Sequence, residues 1–133
     1  MRSNPTIAPS RGFVRTGDQL FVTIDRGTNV RNHEGTLGHL TRDRWQSFKD
    51  DTTNWISSLI SPSATFGPFE GDGTWIDDAT GEEVDETSAV LGFTVGYTAR
   101  VEDVESVLAG LAHLYDQDAI AWTSGPGNLV RQR

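Results

Sequence analysis

FGPFEGDGTWIDDATGEEVDETSAVLGFTVGYT, residues 66–98, is the stretch whose reading decides the fold. It reads as two strands around a turn. The first carries Phe66, Phe69, Trp75 and Ile76 and is interrupted by Gly67, Pro68, Gly71 and Gly73. Such residues inside a strand mark a bulge, an edge or a close backbone approach. Residues 77–81 (DDATG) are polar and end in glycine, as hairpin turns do. The second strand opens on the acidic run Glu82, Glu83, Asp85 and Glu86, then becomes apolar with a period of two. Ala89, Leu91, Phe93 and Val95 point to one side; Ser88, Val90, Gly92 and Thr94 point to the other. An ionisable cluster abutting a buried strand is a place where chemistry can sit.

Upstream, residues 19–25 (QLFVTID) alternate in the same way, with Leu20, Val22 and Ile24 on one face and Phe21, Thr23 and Asp25 on the other. Residues 26–40 read as a long loop holding three glycines with His33, Glu34 and His39. Loops of this length in a compact domain are often functional. Its histidines are six apart, which is not the i, i+4 spacing of a helical zinc site, so they read as surface residues and no metal is expected. Thr41 is a good N-cap, with Asp43 in the first turn. The helix it starts runs to Leu59 or Ile60, with Trp45, Phe48, Thr52, Trp55, Ile56 and Leu59 as its buried stripe. The sequence Ser61-Pro62-Ser63 ends it.

Downstream, a second helix starts at Thr98 or Arg100, with Glu102, Asp103 and Glu105 near its positive end. Val101, Val104, Leu108, Leu111 and Leu114 form its apolar stripe, flanked by Val107 and Tyr115, and His113 reads as surface. Asp116-Gln117-Asp118 is a turn, and residues 119–123 (AIAWT) are the last strand. Residues 1–17 are polar and read as a flexible arm, residues 18–125 as one domain, and residues 126–133 as a tail.

The order β-α-β-β-α-β implies an α+β, ferredoxin-like fold: a four-stranded antiparallel sheet with both helices on one face and the first and third strands central. The opposite face carries Phe21, Thr23, Val90, Gly92, Thr94 and Ala121. It is too apolar for a solvated surface, which implies an oligomer with clefts between subunits.

The chain has 133 residues, enough for a single core, and no cysteine, so neither disulfides nor thiolate metal sites are available. No segment approaches the roughly 20 apolar residues of a membrane span, and the N-terminus lacks a signal-peptide core, which implies a soluble cytoplasmic protein. The formal charge of −8 disfavours nucleic acid and suits a cationic ligand. No G-x-S-x-G, Walker lysine or dinucleotide pattern is present. What remains is a carboxylate-rich rim, with Glu86 just before a central strand and Gln117 just before the last one. A carboxylate there can pair with an ammonium group, and the amide can donate and accept.

At these residues the chain resembles the bacteriophage S-adenosylmethionine lyases, once called SAM hydrolases. The resemblance lies in Gly73-Thr74-Trp75, in the acids ending at Glu86, and in Gln117-Asp118 ahead of the last strand. It spans residues 19–125 in element order. The pattern Gly73, Trp75, Glu86, Ser88 also resembles small ferredoxin-like bacterial proteins of unknown function. The lyase resemblance implies a phage-encoded homotrimer binding SAM between subunits, acting in the host cytoplasm to deplete a methyl donor, with SAM as substrate and no cofactor. It implies Glu86 as the catalytic residue and Gln117 and Trp75 as substrate-binding residues. The alternative is a non-catalytic small-molecule-binding oligomer of the same fold, and a third reading is a structural oligomer whose acidic rim only solubilises.

Overall fold

The alternating strand at residues 19–25 anchors the architecture. The computed structural model describes residues 12–31, 37–128 and 132. In chain order the elements are β1 (Phe13–Val14), β2 (Asp18–Asp25), β3 (Gly27–Arg31), β4 (Leu37–His39), α1 (Arg42–Ile60), β5 (Ala64–Ile76), β6 (Glu83–Thr94), β7 (Ala99–Arg100), α2 (Val101–Leu114) and β8 (Ala121–Pro126). The protein is α+β, with a four-stranded main sheet in the order β5-β6-β2-β8 and every neighbouring pair antiparallel.

Alternation sorts the sheet into two faces. Leu20, Val22, Ile24, Ala89, Leu91 and Phe93 are buried and share one core with Trp45, Phe48, Ile56 and Ile60 of α1 and Val104, Leu108 and Leu111 of α2. Both helices therefore cover the same side. Phe21 and Val90, one residue out of phase, stand on the open side, 39% and 38% exposed. Phe66 and Phe69 join them there, because they pair with Gly92 and Val90 across a register shift in β5. Alternation placed Phe21 alone among aromatics on this face; the Gly67-Pro68 interruption hid the other two.

The caps follow from local chemistry. The Thr41 hydroxyl accepts from Arg44 N at the start of α1, and Ser61, at φ 42°, closes its end with its N–H on Ser57 O. Within α1 the stripe differs from expectation. Trp55 is 39% exposed, while Lys49 and Ile60 are buried. In α2, Leu114 is 41% exposed and Tyr115 takes the buried place beside Leu111.

Three boundaries move. Residues 1–11 of the expected arm lie outside the described residues, but Val14 is fully buried in the chain's own core, where β1 pairs with β7. The expected loop at 26–40 contains a hairpin: β3 and β4 pair from Gly27–His39 to Arg31–Leu37. His33 and Glu34 lie outside the described residues. The last strand is Ala121–Pro126 rather than 119–123, since β8 pairs along β2 as far as Asp18 opposite Pro126. Among the described residues no helix is long and apolar enough to cross a membrane.

Candidate functional site

β2 stops pairing with β6 at Asp25–Ser88, but β5 and β6 continue together to Ile76–Glu83. The hairpin therefore projects past the sheet as a two-stranded arm. Eight of the 19 acidic residues lie in the arm between Glu70 and Glu86, and none of the 11 Lys and Arg does, which leaves 11 acids against 11 bases elsewhere. The whole excess charge of the chain sits here.

The base of the arm meets the β3–β4 hairpin. Arg26 N donates to Thr87 O at 2.9 Å, Arg26 Nε to Leu40 O at 2.9 Å, and Leu40 N to Arg26 O at 2.9 Å. These bonds fix where β3 begins. An open cleft of about 690 Å³ lies at this junction, lined among others by Arg26, His39, Asp72, Thr74, Asp85 and Glu86. Hydroxyls steady two of its carboxylates: Thr74 Oγ1 donates to Asp85 at 3.1 Å and Thr87 Oγ1 to Asp72 at 3.2 Å. The cleft thus presents carboxylates beside a guanidinium and an imidazole, a surface suited to a ligand carrying both signs.

Glu86 sits opposite Gly73 in the arm and is half-buried. Its carboxyl lies so close to Gly27 that a Cβ there would sit 2.1 Å from Oε1, and the Gly27 N–H and the Trp75 side chain favour its ionised form. Burial pushes its pKa above the ordinary glutamate value, and the neighbouring Asp25 adds to that; the two donors oppose it. Asp25 itself accepts from Ser88 Oγ at 2.5 Å. Gln117 reaches the other end of the same glycine, its Nε2 donating to Gly27 O at 2.9 Å and to Tyr115 O at 3.1 Å.

Of the three residues singled out in the sequence, Glu86 and Gln117 thus meet at Gly27, while Trp75 neighbours Glu86 and lines neither groove. They do not open onto one cavity of the single chain. Glu86 lines the cleft at the arm, whereas Gln117 lines a second groove of about 500 Å³ between α2 and β8, floored by Leu108, Ile120 and Trp122. Sequence reasoning missed Gly27, Arg26 and Asp25 as parts of the site. Their one signal was the acid-base-glycine run at the end of a confident strand. His39, which read as a surface residue, lines the cleft. Among the described residues no three histidine or carboxylate groups converge to hold a metal ion.

Fold and site define an α+β protein with a mixed-charge cleft at the foot of an acidic β-arm. No family model matches the chain, and no curated protein does. Among solved structures it is similar to a phage SAM lyase in complex with S-methyl-5′-thioadenosine, with 12% identity, 87% of this chain and 81% of that one covered, and a TM-score of 0.50. It also matches a DUF3240-family protein from Shewanella baltica OS155, with 12% identity, 90% and 99% covered, and a TM-score of 0.39. The likeness to the lyase is one of fold.

Proposed function

We propose that this protein is an S-adenosylmethionine lyase, converting SAM to 5′-methylthioadenosine and L-homoserine lactone. The observation that carries the reading is the meeting of Glu86 and Gln117 at Gly27, with Trp75 beside Glu86. These are the residues at which the sequence resembles the phage lyases, and the fold is like that of one of them. The β-α-β-β-α-β course, with β2 and β6 central, supports the ferredoxin-like form of that fold.

In the reaction the substrate's own carboxylate attacks its γ-carbon. A C–O bond forms, the C–S bond breaks, and the bonding pair neutralises the sulfonium as the thioether leaves. The leaving group is already activated, so the protein's task is to hold the methionyl chain folded for attack. Glu86 would take the α-ammonium, Arg26 would orient the carboxylate, and the remaining acids of the arm favour the sulfonium charge. Gln117 would support the same end, and Trp75 would flank the nucleoside. SAM is the substrate, and no further cofactor enters. Because Glu86 and Gln117 open onto different grooves, a site that uses both fits best between subunits, and a homotrimer closes such an arrangement by symmetry. A phage-encoded enzyme of this kind, working in the host cytoplasm, would deplete the methyl donor of restriction and methylation systems.

The test is incubation of the purified protein with SAM and chromatography for 5′-methylthioadenosine, alongside Glu86→Gln. Product that disappears in the variant supports the lyase. Absence of both turnover and a thermal shift with SAM refutes it. Binding without turnover selects the non-catalytic small-molecule-binding oligomer.

A further inference from the structure

We infer that Gly27 is a positioning residue that sets the Glu86 carboxylate and the Gln117 amide in register with each other, with Asn29 holding that setting. The Glu86 carboxyl lies against the Gly27 backbone, and the Gly27 carbonyl accepts from Gln117 Nε2 at 2.9 Å. Two residues on, Asn29 N donates to Asp116 O at 3.0 Å and Asn29 Nδ2 to Asp118 Oδ1 at 2.9 Å, on either side of Gln117. β3 is therefore a strut between the arm that carries Glu86 and the turn that carries Gln117.

The glycine leaves space for Glu86 rather than serving backbone conformation. Gly27 is not among the residues with positive φ. A Cβ there would lie 2.1 Å from Glu86 Oε1 and 3.1 Å from its Cδ, so any side chain pushes the carboxyl away from Gly27. The other groups around Glu86 are Asp25 of β2, Trp75 of β5 and His39 of β4, with Arg26, Asp72 and Asp85 along the same cleft. None of them joins Glu86 to Gln117.

The test has two arms on the full-length protein. In a ¹⁵N NMR pH titration, the Gly27 amide and the Gln117 side-chain amide are expected to move with one shared midpoint, and both steps vanish in Glu86→Gln. A flat Gly27 amide, or a step that survives in Glu86→Gln, overturns the proposal. The second arm rests on the lyase reading. Gly27→Ala is expected to lower kcat for 5′-methylthioadenosine formation at least about tenfold, with a smaller change in KM, because a shift near 1 Å at a reacting geometry has effects of that order. Wild-type turnover in Gly27→Ala would also overturn it. Should Gly27→Ala fail to fold, Asn29→Ala, which adds no atom beside Glu86, is expected to weaken the Gln117 titration step while leaving that of Gly27; an unchanged Gln117 step counts against the strut. If the wild type turns over no SAM, the lyase reading falls and the NMR arm still decides the role of Gly27.

Discussion

Glu86 and Gln117 meet at a single residue: the carboxyl of one lies against the Gly27 backbone and the amide of the other binds the Gly27 carbonyl at 2.9 Å. The two side chains arrive from a central strand and from a helix-to-strand turn. One glycine sets their separation.

That placement makes Glu86 a net cost when ionised. Burial, then Asp25, holds its pKa above the ordinary value, so folding favours the protonated form. The contribution to stability is full below the unfolded glutamate pKa of about 4.3 and is lost as pH rises through the higher folded value. Glu86→Gln is therefore expected to melt about 1–3 °C above wild type at pH 7, with the gap closing near pH 4. Thermal scans across that range test it. An unchanged or lower melting temperature at pH 7 would mean that the Gly27 and Trp75 donors outweigh desolvation.

Lys49 and Glu70 supply the opposite case. Lys49 is 6% exposed and forms an ion pair with Glu70, which also accepts from Trp45 Nε1 at 3.2 Å. The Lys49 hydrogen bond, then that from Trp45, holds the Glu70 carboxyl below the usual range. Its stabilisation is present above the unfolded pKa and is lost as pH falls through the folded one. Glu70 is half exposed, so solvent screens the pair. Removing the carboxylate still strands a buried ammonium, and Glu70→Ala is expected to cost about 1–2 kcal/mol at pH 7. Denaturant melts should show the difference narrowing in acid. A loss under ~0.3 kcal/mol would show that Lys49 reaches water without its partner.

These two clusters also mark how far the sequence can be read. The periods in residues 20–24 and 89–95, and the stripes led by Phe48 and Leu108, are local, and they placed the main strands, both helices and the core. Lys49 was not among the residues read as the buried stripe of α1, because its partner lies 21 residues away in the arm. The β3–β4 hairpin was hidden because its pairing is between backbones and its first glycine leaves room for Glu86, a distant side chain. Glu86, Gln117 and Trp75 were legible as candidates by resemblance. The meeting point of Glu86 and Gln117 was not, since Gly27 has no side chain to read.

Tyr115 gives a spectroscopic check on the core. It is 2% exposed, stacks on Phe48 with ring centroids 4.5 Å apart, and donates its hydroxyl to Asp51 Oδ2 at 2.5 Å. Burial, then the Asp51 hydrogen bond, pushes its pKa up to about 12. A raised pKa contributes stability that is complete below the unfolded value of about 10 and lost as pH rises through the folded one. One phenolate step in the ultraviolet titration is expected only near pH 12, and it should be missing in Tyr115→Phe. That variant is expected to lose about 1 kcal/mol at pH 7, the size of one hydrogen bond with a charged acceptor left behind. Titration of both tyrosines well below pH 12 would place Tyr115 in solvent.

The open face of the sheet bears on the proposed oligomer. Phe21, Phe66, Phe69 and Val90 stand together on it, between 38% and 66% exposed. Gly92 lies beneath two of the rings, where an added Cβ would come within 2.9 Å of Phe21 and 3.2 Å of Phe66. The rings thus close over the glycine and present a smooth apolar surface. Exposed patches of that kind are usually interfaces. The acid excess of the arm opposes arm-to-arm contact between copies, so association has to use this face or the neutral body. Wild type is expected to run as an oligomer in light-scattering chromatography. Phe21→Glu/Val90→Glu is expected to run as a monomer with its far-ultraviolet dichroism intact, because both side chains already face away from the core. If the site lies between subunits, the same double variant loses 5′-methylthioadenosine formation although neither residue touches Glu86 or Gln117. A monomeric double variant with full turnover would separate the two ideas, keeping the interface and placing the whole site within one chain.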